Sequence, residues 1–249
     1  MESKIYLKVI GRNWENRDMK YVRGLNVIDN FEENGSCVPG RMYFCDPTNP
    51  TQNICRYLHM GDLLVDVTLP TNDPEFKMMI DPSGGKTCAN KIIIGKERKL
   101  SDPETFEYMD SHGVDIKKNF TLNWACDKKY WDVVLYLLFA TPVTESRFNI
   151  VNKVLTNERC IPENIKTTIS KIINEDIEKI RSNKPTNNLS SHNPFKKSDV
   201  KIDYRTFMRQ RITKYKEKNY DLSMMGYMTL AATEWKSFKE KHGCVTCDY

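Results

Sequence analysis

The spacing of apolar residues changes near residue 101, and this change constrains the fold more than any other feature. Before it, short runs of β-branched and aromatic residues (1–10, 41–45, 63–70 and 90–95) alternate with turns rich in Pro and Gly, as is typical of strands and hairpins. After it, apolar residues recur every three or four positions, as in amphipathic helices. Strands followed by helices in separate stretches predict an α+β fold.

Helices are expected at four places between residues 101 and 183. Ser101 as N-cap, Pro103 at the second helical position and Glu104 at the capping-box offset indicate a helix start. Residues 121–139 predict two short helices around a break at 127–130, and residues 148–155 predict another. Residues 163–183 carry an isoleucine at nearly every turn, which predicts a longer helix with one apolar stripe.

A segment rich in Pro, Asn and Ser, KPTNNLSSHNPFKKSD, interrupts the helical pattern and predicts a linker. The sequence therefore predicts a β-rich domain at 1–100, a helical region at 101–183, a linker at 184–199 and a small helical domain at 200–243. The net charge of +5 comes from the last part, because residues 196–243 contain 12 Lys and Arg against 6 Asp and Glu. A polyanionic partner is therefore expected to bind there.

Two helices are expected in the stretch YRTFMRQRITKYKEKNYDLSMMGYMTLAATEW, over 203–218 and 224–238, with Ser223 as N-cap of the second. Their apolar residues fall at helical spacing and predict a small shared core. Its expected members are Phe207, Ile212, Tyr215, Leu230 and Trp235.

Several other classes of function are disfavoured. The longest apolar run has eight residues, too few to span a membrane, and the first ten residues lack the apolar core of a secretory signal, so we expect an intracellular protein without a membrane partner. Eight scattered cysteines are expected to be reduced thiols, and the four isolated histidines have no metal-ligand spacing. We expect no catalytic residues, no metal and no cofactor.

Residues 21–98 carry the motifs GLNV, GSCVPGRMYF, VTLPTNDPEF and DPSGGKTCANKIIIGK. With these motifs the chain resembles an N-terminal domain of giant-virus proteins that precedes ankyrin repeats. Residues 121–139 resemble one degenerate ankyrin helix pair. Because an ankyrin array needs three or more units, we expect these helices to pack on the β-rich domain instead. The resemblance implies a viral protein in the host cytoplasm at the viral factory, in the virion or in the host nucleus, but it implies no activity.

The basic stretch is similar to the plant YABBY domain and to the HMG box, sharing Tyr-x-x-Phe at 204–207 and Ala-Ala-x-x-Trp at 231–235. This resemblance implies binding to duplex DNA through phosphate contacts and minor-groove shape, in transcription or genome packaging. Met224 matches the position of a minor-groove wedge, whereas Arg205 replaces the other wedge and the third helix must be short or absent. The implied DNA-binding residues are Arg205, Arg209, Lys214, Lys216, Lys218 and Met224.

Three alternatives stay open on the sequence. The basic hairpin is also compatible with an ordinary solvated surface, or with a virion assembly protein whose basic tail docks on other viral structural proteins. The segment 40–44 is similar to the NAD-gripping strand of ADP-ribosyltransferases, in which Arg23 and Glu97 would act as partners. The Gly-Gly-Lys at 84–86 lacks the rest of a P-loop, so it predicts a turn.

Overall fold

The computed structural model of the chain describes residues 4–17, 19–141, 144–157, 161–182, 204–218, 222 and 224–242. It has two compact units, Met1–Val134 and Leu135–Tyr249. The fold is mixed α and β with antiparallel sheets, as the change of apolar spacing predicts. The predicted linker at 184–199 lies outside the described residues, and the domain boundaries predicted from the sequence stay a prediction.

All the strands described lie in the first unit. They are β1 (Tyr6–Ile10), β2 (Glu15–Asn16), β3 (Met19–Lys20), β4 (Gly24–Val27), β5 (Met42–Phe44), β6 (Leu63–Thr68), β7 (Met78–Ile80), β8 (Thr87–Ala89) and β9 (Lys91–Lys99). The four predicted strand runs became β1, β5, β6 and β9, and the predicted turn at 81–86 joins β7 to β8.

Three antiparallel sheets organise this unit. One has the strand order β1-β6-β9-β4, another has the order β5-β8-β7, and β2 pairs with β3. The two larger sheets are joined where the Leu7 and Cys45 backbones exchange hydrogen bonds of 2.9 and 2.8 Å. Buried side chains from both sheets, among them Ile10, Phe44 and Ile92, form one apolar cluster between these strands.

Helices cover part of this sheet structure. They are a 3₁₀ helix (Ile54–Met60), α1 (Pro103–Ser111) and α2 (Asn119–Asp127). Strand β6 has a register shift at Asp66. The carboxylate of Asp66 accepts hydrogen bonds of 2.8 Å from Arg98 of β9 and from Tyr108 of α1, and the second of these connects α1 to the sheet. Asn53, the N-cap of the 3₁₀ helix, donates to the carbonyl of Asp115 at 2.8 Å, just before α2. Helix α1 and the start of α2 therefore pack on the β-rich part, as expected for the first helix of the stretch 121–139.

The predicted start of α1 was wrong by one residue. Asp102, not Ser101, is the N-cap, and Pro103 occupies the first helical position. The ring of proline fixes φ near the helical value and pushes the preceding residue into an extended conformation. Asp102 accordingly has φ −97° and ψ 125°, and its side chain makes no capping hydrogen bond.

The second unit is helical in its described residues. It contains α4 (Glu145–Asn157), α5 (Glu163–Ser182), α6 (Tyr204–Glu217) and α7 (Met224–His242), while α3 (Trp131–Ala140) spans the boundary between the units. The isoleucine stripe of α5 is buried at the four positions whose side chains are described, Ile165, Ile169, Ile172 and Ile173. None of the described helices is long and apolar enough to cross a membrane.

Lys8 is a cation inside the first unit. Its side chain lies on β1 with 4% of the residue exposed, and its Nζ donates to the carbonyl of Tyr43 at 2.8 Å. Burial lowers the pKa of Lys8 to about 7, and the positive charges of Arg17 and Lys86 lower it further. The folded protein therefore releases a proton from Lys8 at a pH where the unfolded chain keeps it.

We expect Lys8→Met to change how stability depends on pH. Between pH 7 and 10 the unfolded wild-type chain binds more protons at Lys8 than the folded one, so wild-type stability rises with pH. The free energy of unfolding of Lys8→Met relative to wild type should fall by about 1 kcal/mol from pH 7 to pH 8. Urea unfolding at both pH values measures this difference. Lys96→Met, at an exposed position of β9, is the control, and an equal difference at both pH values would contradict the expectation.

Candidate nucleic-acid interface

Helices α6 and α7 pack against each other through an aromatic cluster. The ring of Phe207 lies 5.0 Å from that of Trp235 and 5.2 Å from that of Phe238, between centroids. Trp235 and Phe238 stack with an interplanar angle of 13°. Two helices joined by such a cluster form a rigid support for side chains on their outer faces.

Of the five residues predicted for the core between these helices, four are buried. The buried side chains are Phe207, Met208, Ile212, Tyr215, Tyr227, Met228, Ala231 and Trp235. Leu230 was predicted to be buried but is 39% exposed. The buried positions of α7 from 227 to 235 fall within an arc of about 100° around the helix, and position 230 lies outside it. Met228 takes the inward place instead; the sequence pattern missed both Met208 and Met228 because methionine fits core and surface alike.

One cation of α6 is used to hold the hairpin together. Arg211 pairs with Glu234 of α7 at 3.0 Å, and its guanidinium lies 5.0 Å from the centroid of the Phe207 ring. Glu234 also accepts a hydrogen bond from the hydroxyl of Tyr215. Arg211 therefore belongs to the contact between the helices and is poorly placed to bind a phosphate.

Arg209 also makes a contact within the second unit. Its side chain is exposed overall, but Nη2 donates to the carbonyl of Phe139, in the last turn of α3, at 3.0 Å. Arg147 of α4 donates in the same way to the carbonyl of Leu137 at 3.0 Å. The last carbonyls of a helix lack partners within the helix, so these two arginines complete its C-terminal end. A guanidinium has five donors, and this contact of Arg209 uses one of them.

The three predicted lysines lie on two sides of α6. Lys214 and Lys218 are exposed, and Lys216 is half-buried. Positions 209 and 216 are seven residues apart and share one side of the helix, whereas 214 and 218 share the opposite side. The structure thus does not gather the predicted cations into one row. They flank the buried stripe of α6 on both sides.

The remaining predicted residues start the two helices. Arg205 is the second residue of α6 and Met224 the first of α7, but their side chains lie outside the part of the chain that the structure describes. The predicted N-cap Ser223 lies outside it as well. α7 ends at His242 and not at the predicted residue 238. The assignment of Met224 as a wedge stays a prediction.

Other sites considered from the sequence were catalytic or metal-binding. Arg23 and Glu97 form an exposed ion pair with each other. His59 is exposed, and Nδ1 of His112 lies 2.9 Å from the carbonyl of Tyr108. Among the described residues no group of three or more His, Cys, Asp or Glu could hold a metal ion, and the C-x-x-C at 244–247 lies outside them.

Comparison with known proteins adds the origin of the chain. It is 57% identical over 164 residues to ankyrin repeat protein L100 of Acanthamoeba polyphaga mimivirus, covering 66% of this chain and 27% of that protein. It is 38% identical over 141 residues to ankyrin repeat protein R868 of the same virus, covering 55% of this chain and 68% of R868. The chain belongs to this mimivirus family. It also matches uncharacterized protein R869 of mimivirus, 39% identical over 144 residues that cover 55% of this chain and all of R869.

Membership of the mimivirus family confirms the resemblance to giant-virus proteins with ankyrin repeats. The chain spans about a quarter of the length of L100 (27%) and about two thirds of R868 (68%). No family model matches the chain, and the search of solved structures found no match. The likeness of the basic stretch to the YABBY domain and the HMG box thus rests on the sequence pattern.

Proposed function

We propose that this mimivirus-family protein binds duplex DNA through the basic surface of α6. The observation that carries the proposal is the exposure of Lys214 and Lys218 on a helix whose other face is packed against α7. Neither lysine forms an ion pair with a described residue. Both ammonium groups are therefore available to phosphate oxygens.

The charge distribution supports the same surface. Residues 196–243 hold the whole positive excess of the chain, so the long-range field is most positive there. Lysines act on phosphate as point charges, without the bidentate geometry that reads base edges. Binding should therefore depend on the backbone and shape of DNA, with weak sequence preference. Such binding suits a role in transcription or in packaging the viral genome.

The finer proposal follows the resemblance to the HMG box. Arg205, Arg209 and Lys216 would contact further phosphates from the side of α6 opposite to Lys214 and Lys218. Met224, at the start of α7, would insert between base steps of the minor groove and bend the duplex. No cofactor is needed for this function.

A second candidate is a virion assembly protein that contacts other viral structural proteins. It is favoured by the apolar side chains exposed on two edge strands, Leu25 (52% exposed) on β4 and Ile80 (63% exposed) on β7. Edge strands with apolar side chains are templates for contact with another protein chain. This candidate predicts no dependence of DNA affinity on the lysines of α6.

The double variant Lys214→Glu/Lys218→Glu tests the proposal. We expect it to bind duplex DNA roughly tenfold more weakly at low salt, or weaker still, because two phosphate contacts become repulsions. Fluorescence anisotropy with labelled duplexes of unrelated sequence gives the affinity. The matched control is Lys153→Glu/Lys166→Glu, which changes the net charge equally at exposed positions of α4 and α5. Equal affinity of the α6 variant and wild type would contradict the proposal.

A further inference from the structure

The first unit contains a cavity of about 500 Å³ beside β1 and β5. Its walls are largely apolar and aromatic and include Met19, Tyr21, Phe44, Ile54 and Tyr57. This volume falls in the range of sites that enclose small organic molecules. The residues that line the cavity all come from the first 86 positions of the chain, and none of them belongs to the proposed DNA-binding surface of α6.

The charged groups of this cavity all have one sign. Lys8, Arg17, Arg41 and Lys86 line it, and no Asp or Glu is among its described lining residues. The guanidinium of Arg41 donates hydrogen bonds to the carbonyls of Asn34 and Gly35, at 2.9 and 3.1 Å. The Nζ of Lys8 donates one hydrogen bond, to the carbonyl of Tyr43, although an ammonium can donate three. Arg17 is exposed at the rim of the cavity. Apolar walls with cations of one sign favour an organic anion as occupant.

A thiol stands at the mouth of the cavity, in direct contact with one of these cations. The Nζ of Lys86 donates to the Sγ of Cys37 at 2.7 Å. Lys86 is 7% exposed, and its Nζ lies 4.2 Å from the centroid of the Tyr43 ring. Burial and this ring contact hold the ammonium of Lys86 next to the sulfur. Cys37 itself is exposed, so a reagent can reach its sulfur.

The backbone around Cys37 is held in an uncommon conformation. Its φ of 56° is left-handed, which is rare for a residue with a side chain and persists only when surrounding contacts impose it. Here Asp81 supplies them, accepting hydrogen bonds from the amide of Cys37 at 3.0 Å and from the hydroxyl of Ser36 at 2.6 Å. The loop therefore positions the sulfur on Lys86 before any ligand arrives.

The two cysteines that line the cavity differ in chemistry. The hydrogen bond from Lys86, followed by that from Ser36, lowers the pKa of Cys37 below the usual value of a thiol. Burial raises the pKa of Cys45 to about 12, although it lines the same cavity. The thiolate, and not the thiol, is the nucleophile, so Cys37 is the reactive member of the two.

We propose that this cavity binds small organic anions that carry an electrophilic carbon, and that the Cys37 sulfur attacks this carbon as a thiolate stabilised by the adjacent Lys86 ammonium. In the step, the sulfur electron pair forms a C–S bond, and the bond from that carbon to its leaving group breaks with the electrons on the leaving group. No oxidant or reductant takes part. Arg17 pairs with the anionic group of the ligand, Lys8 donates a hydrogen bond to that group, and the aromatic wall contacts the apolar part of the ligand.

Alkylation by iodoacetate, an anion, and by iodoacetamide, its neutral analogue, tests the proposal on the full chain. Peptide mass spectrometry gives the rate at Cys37 from pH 6 to 10. We expect Cys37 to react about tenfold faster at pH 7 than in Lys86→Gln, whose rate profile should shift to higher pH. Lys86→Arg, which keeps the positive charge, should restore the wild-type profile. Identical pH profiles for wild type and Lys86→Gln would overturn the proposal.

A second comparison tests the preference for anions. Arg17→Gln should lower the rate of Cys37 with iodoacetate several-fold more than its rate with iodoacetamide, because only the anion gains from the cations at the cavity. Arg12→Gln is the matched control, since Arg12 is exposed in the same unit but does not line the cavity. If Arg17→Gln changes both rates by the same factor, the cavity does not select anions and the proposal is wrong. Failure of either test leaves DNA binding by α6 unaffected, because the two surfaces share no residue.

Discussion

Replacing Asp81 with asparagine is expected to lower the free energy of unfolding by about 3–5 kcal/mol. The Asp81 side chain is fully buried, and its carboxylate lies 3.6 Å from the equally buried guanidinium of Arg41. It also accepts hydrogen bonds from Ser36, from the amide of Cys37 and from Ser83. Asparagine would leave the buried guanidinium of Arg41 without a counter-charge. The NH₂ group of the asparagine would also point at hydrogen-bond donors that now bind a carboxylate oxygen.

The pH dependence of this loss can be stated from the pKa. Burial acts to raise the pKa of Asp81, but the hydrogen bonds from Ser36 and Ser83 outweigh it and hold the pKa well below its usual value. The stability that Asp81 contributes is therefore complete above the pKa of the unfolded state, near 4, and is lost as the pH falls below it. The difference between wild type and Asp81→Asn should accordingly shrink in acid.

Urea unfolding at pH 7 and at pH 3 measures both effects. Asp110→Asn, at an exposed position of α1, is the control and should stay within about 0.5 kcal/mol of wild type. Equal stability of Asp81→Asn and wild type at pH 7 would show that the Asp81 hydrogen bonds do not hold the loop containing Cys37.

Trp235→Ala is the second change with a large expected effect, a loss of about 3–5 kcal/mol in the stability of the second unit. Trp235 is 8% exposed, and its ring contacts both Phe207 and Phe238. Alanine would leave a cavity between α6 and α7 and remove both ring contacts. The amides of the two helices should then exchange with solvent faster than those of the first unit, as measured by hydrogen exchange.

Trp235→Phe is the matched variant for this change. It keeps an aromatic ring at the contact, so we expect less than half of the loss caused by alanine. If the amides of α6 and α7 exchanged no faster in Trp235→Ala than in wild type, the aromatic cluster would not be the contact that joins the two helices.

Much of the fold followed from local sequence patterns. Strands β1, β5, β6 and β9 and all four helical stretches before the predicted linker were predicted because the spacing of apolar residues reports which faces are buried. The misplaced start of α1 and the exposed Leu230 show the limit of the same method. A pattern fixes the type of element, while neighbouring backbone and packing decide which residue takes each position.

The cavity of the first unit could not be predicted in this way. Lys86 and Cys37 lie 49 residues apart, and in the sequence Lys86 belongs only to a turn. Their contact depends on Asp81, which joins two loops through hydrogen bonds to Ser36, 45 residues away, and to Ser83. Long-range pairs of this kind leave no periodic signal. The cations of α6, in contrast, were visible as a local excess of charge, although their division between two sides of the helix was not.

The salt dependence of binding shows whether α6 contacts DNA phosphates. The affinity of the full chain for a duplex of mixed sequence is measured between 50 and 300 mM KCl and compared with that of Lys214→Glu/Lys218→Glu. We expect the affinity to fall linearly with salt on logarithmic axes, and the slope of the variant to be shallower by about 2, one unit for each lost phosphate contact. Equal slopes for the two proteins, or an affinity that does not change with salt, would contradict it.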